Sequence, residues 1–210
     1  KKPMRTVSFG IDLNDYPFDE NATSELALFH LGAMDWGPNL EGILWFLTAI
    51  WPTIHAKHPT LKMYLAGMNM SDEIERMQLP NVVVVGEVEH AIAFMRSKAV
   101  MVVPLLSAGG IRVKIIEGLA LGRAVISTTL GAEGLDCTDG KNILLADRPE
   151  EWVAAVDRLM EQPEEIRQLG LNGRKHAMEH FELNEITSRL VAFYKELRRH
   201  LKKHDKQFLY

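Results

Sequence analysis

The strongest constraint on this chain is an alternation. Short apolar runs, each closed by glycine or proline or followed by a polar turn, recur along the sequence with helical patterns between them. The first run, Leu26-Ala27-Leu28-Phe29-His30-Leu31, stops at Gly32. Leu61-Lys62-Met63-Tyr64-Leu65-Ala66 stops at Gly67, Val82-Val83-Val84-Val85 at Gly86, and Val100-Met101-Val102-Val103 at Pro104. Ala124-Val125-Ile126-Ser127 and Asn142-Ile143-Leu144-Leu145 complete the series. Continuous runs of this length suit strands covered on both faces. Between them, Leu40, Ile43, Leu44, Leu47, Ile50 and Trp51 recur at helical spacing behind Pro38. Shorter helices are expected over residues 71–77, with Ser71 as N-cap, over 89–97 and over 111–121. From Glu150 onward the chain reads as three helices, the first with its stripe of Trp152, Val153, Val156 and Leu159. Strands that alternate with helices form βαβ units. The expected fold is therefore α/β: a Rossmann-like open parallel sheet with helices on both faces and a C-terminal helical extension.

Residues 1–24 carry Pro3, Gly10 and Pro17 without sustained periodicity and read as a linker or lead-in; residues 25–200 read as one domain, and 201–210 as a polar tail. The length of 210 residues suits one large domain, which can bury its own core without disulfides. Cys137 is the single cysteine, so nothing points to an oxidising compartment. A formal charge of -4 gives no basic field for nucleic acid. His and Cys never cluster at zinc spacing, and no metal or other cofactor is expected. No apolar stretch approaches the ~20 residues of a membrane span, and no signal peptide is visible. The expected location is cytoplasmic. The sequence opens on Lys1-Lys2 rather than on methionine, which suggests that the natural chain begins earlier.

Open parallel sheets bind ligands outside the carboxyl ends of their strands, near a switch in strand order. The strand-to-helix loops are thus the places to look, and the fourth is the informative one: Pro104-Leu105-Leu106-Ser107-Ala108-Gly109-Gly110-Ile111-Arg112-Val113-Lys114. Glycines between a strand and a helix let a ligand approach the backbone, and the first amides of a helix lack internal partners. A diphosphate fits such a place. Arg112 and Lys114 add two positive charges where a helix dipole disfavours them, which suggests that an anion completes the site. Glu117, one turn past Lys114, has the chemistry to accept two hydrogen bonds from a sugar diol. The plainer alternative is an exposed Lys114–Glu117 pair behind an ordinary Gly-Gly turn.

The segment from Gly109 to Thr128, with its run Gly109-Gly110-Ile111-Arg112-Val113-Lys114-Ile115-Ile116-Glu117-Gly118-Leu119-Ala120, resembles the signature of family 4 (group 1) retaining glycosyltransferases. The likeness extends to Gly131-Ala132-Glu133-Gly134-Leu135, to Met34-Asp35-Trp36-Gly37-Pro38-Asn39 after the first strand, and to Gly86-Glu87-Val88 after the third. Gly10-Ile11-Asp12-Leu13 is similar to the family's interdomain linker, so the resemblance spans residues 6–197.

That resemblance implies one half of a two-domain GT-B enzyme: the donor-binding half, with the acceptor bound by an N-terminal domain absent here. The partner it implies is a nucleotide-sugar, transferred with retention at the anomeric carbon. Glu117 would hold the nucleotide ribose; the amides around Gly109, Gly110 and Ile111 would lie against diphosphate and sugar; Gly86 and Val88 would line the base pocket. Arg112 and Lys114 would stabilise the leaving diphosphate. Two positions depart from the family pattern. Gly109 stands where many members carry a second glutamate, and Ala33 and Pro38 stand where many carry an arginine and a lysine. Arg112 and Lys114 are expected to supply the missing charge. His30 reads as a hydrogen-bonded core histidine, His90 as a solvated helix start, Trp36 as packing under its loop, and Glu133 as a minor candidate for donor or acceptor contact. The basic run Arg198-Arg199-His200-Leu201-Lys202-Lys203 admits two meanings, a solvated helix end and a contact with a membrane-surface acceptor at the inner membrane face. Competing functions are a non-catalytic nucleotide-binding module and a sugar-nucleotide epimerase of similar build. A phosphoacceptor signalling domain fits poorly, since Gly86-Glu87 and Pro104-Leu105 follow the third and fourth runs.

Overall fold

Six short parallel strands form one sheet in the order β3-β2-β1-β4-β5-β6. They are β1 (Glu25–Leu31), β2 (Met63–Ala66), β3 (Val82–Gly86), β4 (Lys98–Val103), β5 (Ala124–Ser127) and β6 (Leu144–Leu145). A computed structural model of the chain describes residues 4–107 and 109–207. The strand order is that of a doubly wound sheet, with its switch between β1 and β4, where successive crossovers leave in opposite directions. The central strands β1 and β4 read as unbroken apolar runs because both their faces are covered. Adjacent residues of β1 enter opposite cores. Leu28 packs with Phe46, Ile50, Ile54 and Trp152 on one face, and Phe29 with Met95, Ile115 and Leu119 on the other.

The first core is built by α1 (Gly37–Trp45), α2 (Trp51–Lys57) and α7 (Pro149–Glu161). A π turn, Phe46–Ile50, joins α1 to α2 so that the helix continues past the point where the sequence pattern ends. Pro52 has no N–H to give and its ring crowds the carbonyl four residues back, so the turn widens there instead of breaking. The widened turn offers Phe46 to the indole of Trp152, edge to face at 5.4 Å between centroids. The second core is covered by α4 (Ala91–Arg96), α5 (Val113–Ala120) and α8 (Pro163–His180). Two short helices, α3 (Asp72–Arg76) and α6 (Thr129–Ala132), lie in the loops after β2 and β5. Ser71 caps α3 as its sequence predicts, with its Oγ accepting the amide of Glu73.

The lead-in is held against the domain. Ile11 is buried and bridges Glu182, and its backbone exchanges bonds with Phe181 and Leu183. Helix α9 (Leu183–Gln207) runs well into the expected polar tail; residues 208–210 and the side chains beyond Arg199 lie outside the described residues, as do residues 1–3. None of the described helices is long and apolar enough to cross a membrane.

One close approach brings α1 onto the loop that leaves β4. A Cβ on Gly42 would collide with the backbone carbonyl of Pro104. Gly42→Ala is expected to cost roughly 1–3 kcal/mol, the range for overpacking a fitted contact. In thermal denaturation this is a fall of roughly 5 °C; an unchanged melting temperature would mean that α1 is free to shift.

Candidate functional site

The loops after β1 and β4 flank the switch point, and their side chains meet there. Lys114, in the first turn of α5, reaches across to the β1–α1 loop. Its Nζ donates to Asn39 Oδ1 at 2.7 Å and lies 3.5 Å from His30 Nε2. The Asn39 amide in turn donates to the carbonyl of Ala33 at 2.8 Å, which fixes the carbonyl end of its side chain toward the lysine. His30 is fully buried, and its Nδ1 lies 2.9 Å from the carbonyl of Val102 on the neighbouring strand. A carbonyl only accepts, so Nδ1 carries the proton and Nε2 presents a lone pair to Lys114. Gly32 makes room for this arrangement: a Cβ there would sit 2.5 Å from Lys114 Nζ and 2.6 Å from Asn39 Nδ2.

The electrostatics follow from burial. Desolvation lowers the Lys114 amine to about 8, against the opposing pull of the Glu117 carboxylate. Desolvation, and after it the charge of Lys114, hold His30 well below the ordinary imidazole range despite its bond to Val102, so His30 is neutral. At neutral pH the crevice floor thus carries one positive charge with an uncharged imidazole beneath it. Of the three N–H groups of the ammonium, two have acceptors among the described residues, and the third has none there.

Lys114 and Glu117 do not pair as a plain exposed couple would. Glu117 accepts instead from the hydroxyl of Tyr16, at 2.8 Å to Oε1. Burial, and after it the adjacent carboxylate, push the Tyr16 phenol far above its usual range, so it remains a donor. Tyr16 belongs to the lead-in, and Arg174 of α8 anchors it by donating to its carbonyl at 3.0 Å and also to that of Ala120. Sequence reading did not find Tyr16, because no local pattern marks a contact between residues 101 positions apart.

Arg112 departs from the expectation that it shares the diphosphate with Lys114. Its guanidinium is buried and spent on backbone carbonyls: Nε on Gly131 at 2.8 Å, Nη1 on Gly110 at 2.5 Å, and Nη2 on Leu130 and on Glu133, the last at 3.1 Å. The Glu133 carboxylate stands 3.6 Å away. Arg112 therefore ties the glycine loop to the carbonyls at the end of α6. The loop it holds is open. Gly109, Gly110 and Ile111 are exposed, and Gly110 takes φ +77°, a conformation suited to glycine. The amides of Gly110, Ile111 and Arg112 bond to no backbone carbonyl among the described residues. At the other rim of the loop, Ser107 Oγ donates to Glu41 of α1 at 2.7 Å.

Gly86 and Val88 follow β3, two strands from β1 and so roughly 10 Å along the sheet edge. The Gly86 carbonyl is already taken by the amide of Gly67, and Val88 is half-buried. His90 is exposed at the start of α4. Trp36 is more exposed than its expected place under the loop, at 38%, and its carbonyl rather than its ring serves α1, by accepting from Asn39. No group of three or more His, Cys, Asp or Glu side chains that would hold a metal occurs among the described residues. The Cys137 thiol is pushed up to about 12 by burial, which makes it a poor nucleophile.

A Rossmann-like open parallel sheet of this order matches part of solved GT-B glycosyltransferase structures. The model of the group 1 glycosyl transferases matches residues 25–162, and the chain belongs to that family. It is similar to the MMP alpha-(1->4)-mannosyltransferase of Mycolicibacterium hassiacum, with 30% identity over 112 residues that cover 51% of this chain and 27% of that protein. Among solved structures it resembles Anabaena Alr3699/HepE in complex with UDP and glucose, with a TM-score of 0.69 and 15% identity over 91% of this chain and 56% of that one. It also matches the C-terminal domain of the group 1 family protein LpcC from Francisella tularensis, with a TM-score of 0.65 and 13% identity over 83% of this chain and 100% of that one. The chain spans about half or less of the length of the curated relatives it matches.

Proposed function

We propose that this chain is the donor-binding half of a retaining, family 4 GT-B glycosyltransferase and that it binds a nucleoside diphosphate sugar at the β1/β4 switch. The observation that carries the reading is the Lys114 ammonium, held in the crevice by Asn39 and His30 with one N–H group left over, one helical turn from Glu117. In this reading Lys114 and the amides of Gly109, Gly110 and Ile111 take the diphosphate, Glu117 takes the ribose diol, and the Gly86–Val88 turn borders the base. The match to a free-standing C-terminal domain and the UDP complex of a structural neighbour support the division of labour.

In the transfer, the bond from the anomeric carbon to the diphosphate oxygen breaks and its electron pair leaves with the diphosphate. The acceptor hydroxyl bonds to that carbon on the same face, and its proton passes to the departing diphosphate oxygen. Charge grows on the leaving oxygens, where Lys114 and the loop amides meet it, a preorganised arrangement that costs no rearrangement at the moment of reaction. The reading assigns that charge to the protein rather than to a metal ion. Arg112 acts on the loop and not on the ligand. In this reading the acceptor is bound by a separate N-terminal domain of a cytoplasmic enzyme.

A comparison of two ligands tests the assignment of Glu117. Glu117→Ala is expected to weaken binding of a nucleoside diphosphate about ten- to hundredfold, the worth of charge-assisted hydrogen bonds to a diol. Binding of inorganic pyrophosphate, which lacks the ribose, is expected to change little. Equal losses for both ligands, or none for either, would place Glu117 away from the ribose.

A further inference from the structure

We infer that Asn39 and His30 are positioning residues for Lys114: they accept two of its three N–H groups and leave the third for an oxygen of the bound diphosphate. The inference rests on the donor-site reading above and names the device that makes it work.

Several features bring it out. Lys114 is nearly buried at the start of a helix, where its charge meets the positive end of the helix dipole. A long, flexible ammonium in such a place would normally turn outward to water. It stays because Asn39 Oδ1 holds it at 2.7 Å, and Asn39 is itself buried and held by the Ala33 carbonyl. His30 lies behind it, fixed by the Val102 carbonyl in the tautomer that offers a lone pair. Gly32 leaves the space that the ammonium and the amide occupy. Three segments distant in sequence, β1, the start of α1 and the start of α5, thus converge on one nitrogen. Both acceptors are neutral at physiological pH. A carboxylate in either place would satisfy the ammonium fully and compete with the ligand; an amide and an imidazole orient it and leave its charge to the diphosphate.

The titratable groups near the ammonium are His30 from β1 and Glu117 from α5, while α1 contributes only the uncharged amide of Asn39. His30 stays neutral throughout the range considered. Binding of an anion therefore favours protonated Lys114. With the free amine at about 8, affinity holds below that pH and falls as pH rises through it. The terminal phosphate, with its second pKa of about 6, is already ionised above pH 7 and adds no further change.

The test is the pH profile of uridine diphosphate binding by the 210-residue chain between pH 7 and 10, followed by titration calorimetry. Asn39→Ala is expected to weaken binding at pH 7 about tenfold and to move the alkaline midpoint down, because the charged amine loses an acceptor. Asn39→Asp is expected to move that midpoint up, by placing a carboxylate beside the amine, and still to bind more weakly than the wild type at pH 7. His30→Asn keeps a donor for Val102 and removes the Nε2 lone pair, and is expected to move the midpoint down. A purely structural role for Asn39 and His30 would lower affinity evenly and leave every midpoint in place, and that outcome overturns the inference. If the wild type and all variants bind with one midpoint while Lys114→Ala loses binding, the inference fails and the donor site stands. If the wild type binds neither uridine diphosphate nor any other common nucleoside diphosphate, both fail together.

Discussion

Lys114→Ala is expected to reduce nucleoside diphosphate affinity ten- to hundredfold at pH 7, the worth of a charged hydrogen bond lost from a part-buried site. In an enzyme that joins this chain to an acceptor domain, the loss at saturating donor is expected to be larger in turnover than in binding, on the order of a hundredfold. The reason is differential: the diphosphate gains charge as the sugar bond breaks, so a fixed cation matters more in the transition state than in the ground state. The fold is expected to survive. The native site keeps an ammonium with a lowered affinity for its proton, and removing it relieves a desolvation cost. Steady-state rates at saturating donor, with a melting curve of the same variant, check both halves of this statement. Wild-type turnover in Lys114→Ala would contradict it.

Arg112→Ala is expected to do the opposite, to damage stability first. Its guanidinium satisfies the carbonyls of Gly110, Leu130, Gly131 and Glu133 in a buried setting. Truncation leaves several of those acceptors without a partner, at a cost of roughly 2–4 kcal/mol after some are rehydrated. For a chain of this size that is a drop of roughly 6–12 °C in melting temperature. Arg112→Lys is not expected to rescue it, because one ammonium cannot span carbonyls arranged around a planar fork. The two-cation expectation drawn from the sequence predicts a different result, in which binding is lost while the melting temperature holds. Calorimetric melting of Arg112→Ala and Arg112→Lys separates the two accounts.

The fold was legible because each strand carries its own pattern. Val82 to Val85 and Val100 to Val103 are apolar runs stopped by Gly86 and Pro104, and the structure places β3 and β4 there. The last strand was overdrawn, since only Leu144 and Leu145 pair with β5, while Asn142 turns its side chain to the amide of Thr138. The helical pattern behind Pro38 runs to Trp51, and the structure carries the helix on to Lys57, because the π turn before Pro52 lets it continue.

The candidate site was legible in position and only partly in its workings. The glycine loop, Lys114 and Glu117 could be picked out from local sequence, because loop chemistry and helix-start charge are local properties. What each charge faces is not local. Arg112 and Lys114 are two residues apart, yet one turns to α6 and the other to α1. Asn39 appeared in the family resemblance without a role, and His30 was read as a hydrogen-bonded core histidine, which its bond to Val102 matches. Its second nitrogen, facing Lys114 from 84 positions away, depends on the strand order and has no trace in the sequence around either residue.

Occupancy of the β1/β4 switch by a diphosphate is the expected result on which the proposed function stands. It is tested most directly by titrating the wild-type chain with the common nucleoside diphosphates, without added metal, while following backbone amide resonances. The account predicts binding to at least one of them in the millimolar range or tighter. The largest shifts should fall at Gly109, Gly110, Ile111 and Asn39, and in Lys114→Ala they should need about ten- to hundredfold more ligand to appear. No binding to any nucleoside diphosphate at millimolar concentration, or shifts confined to residues away from this loop, would contradict it.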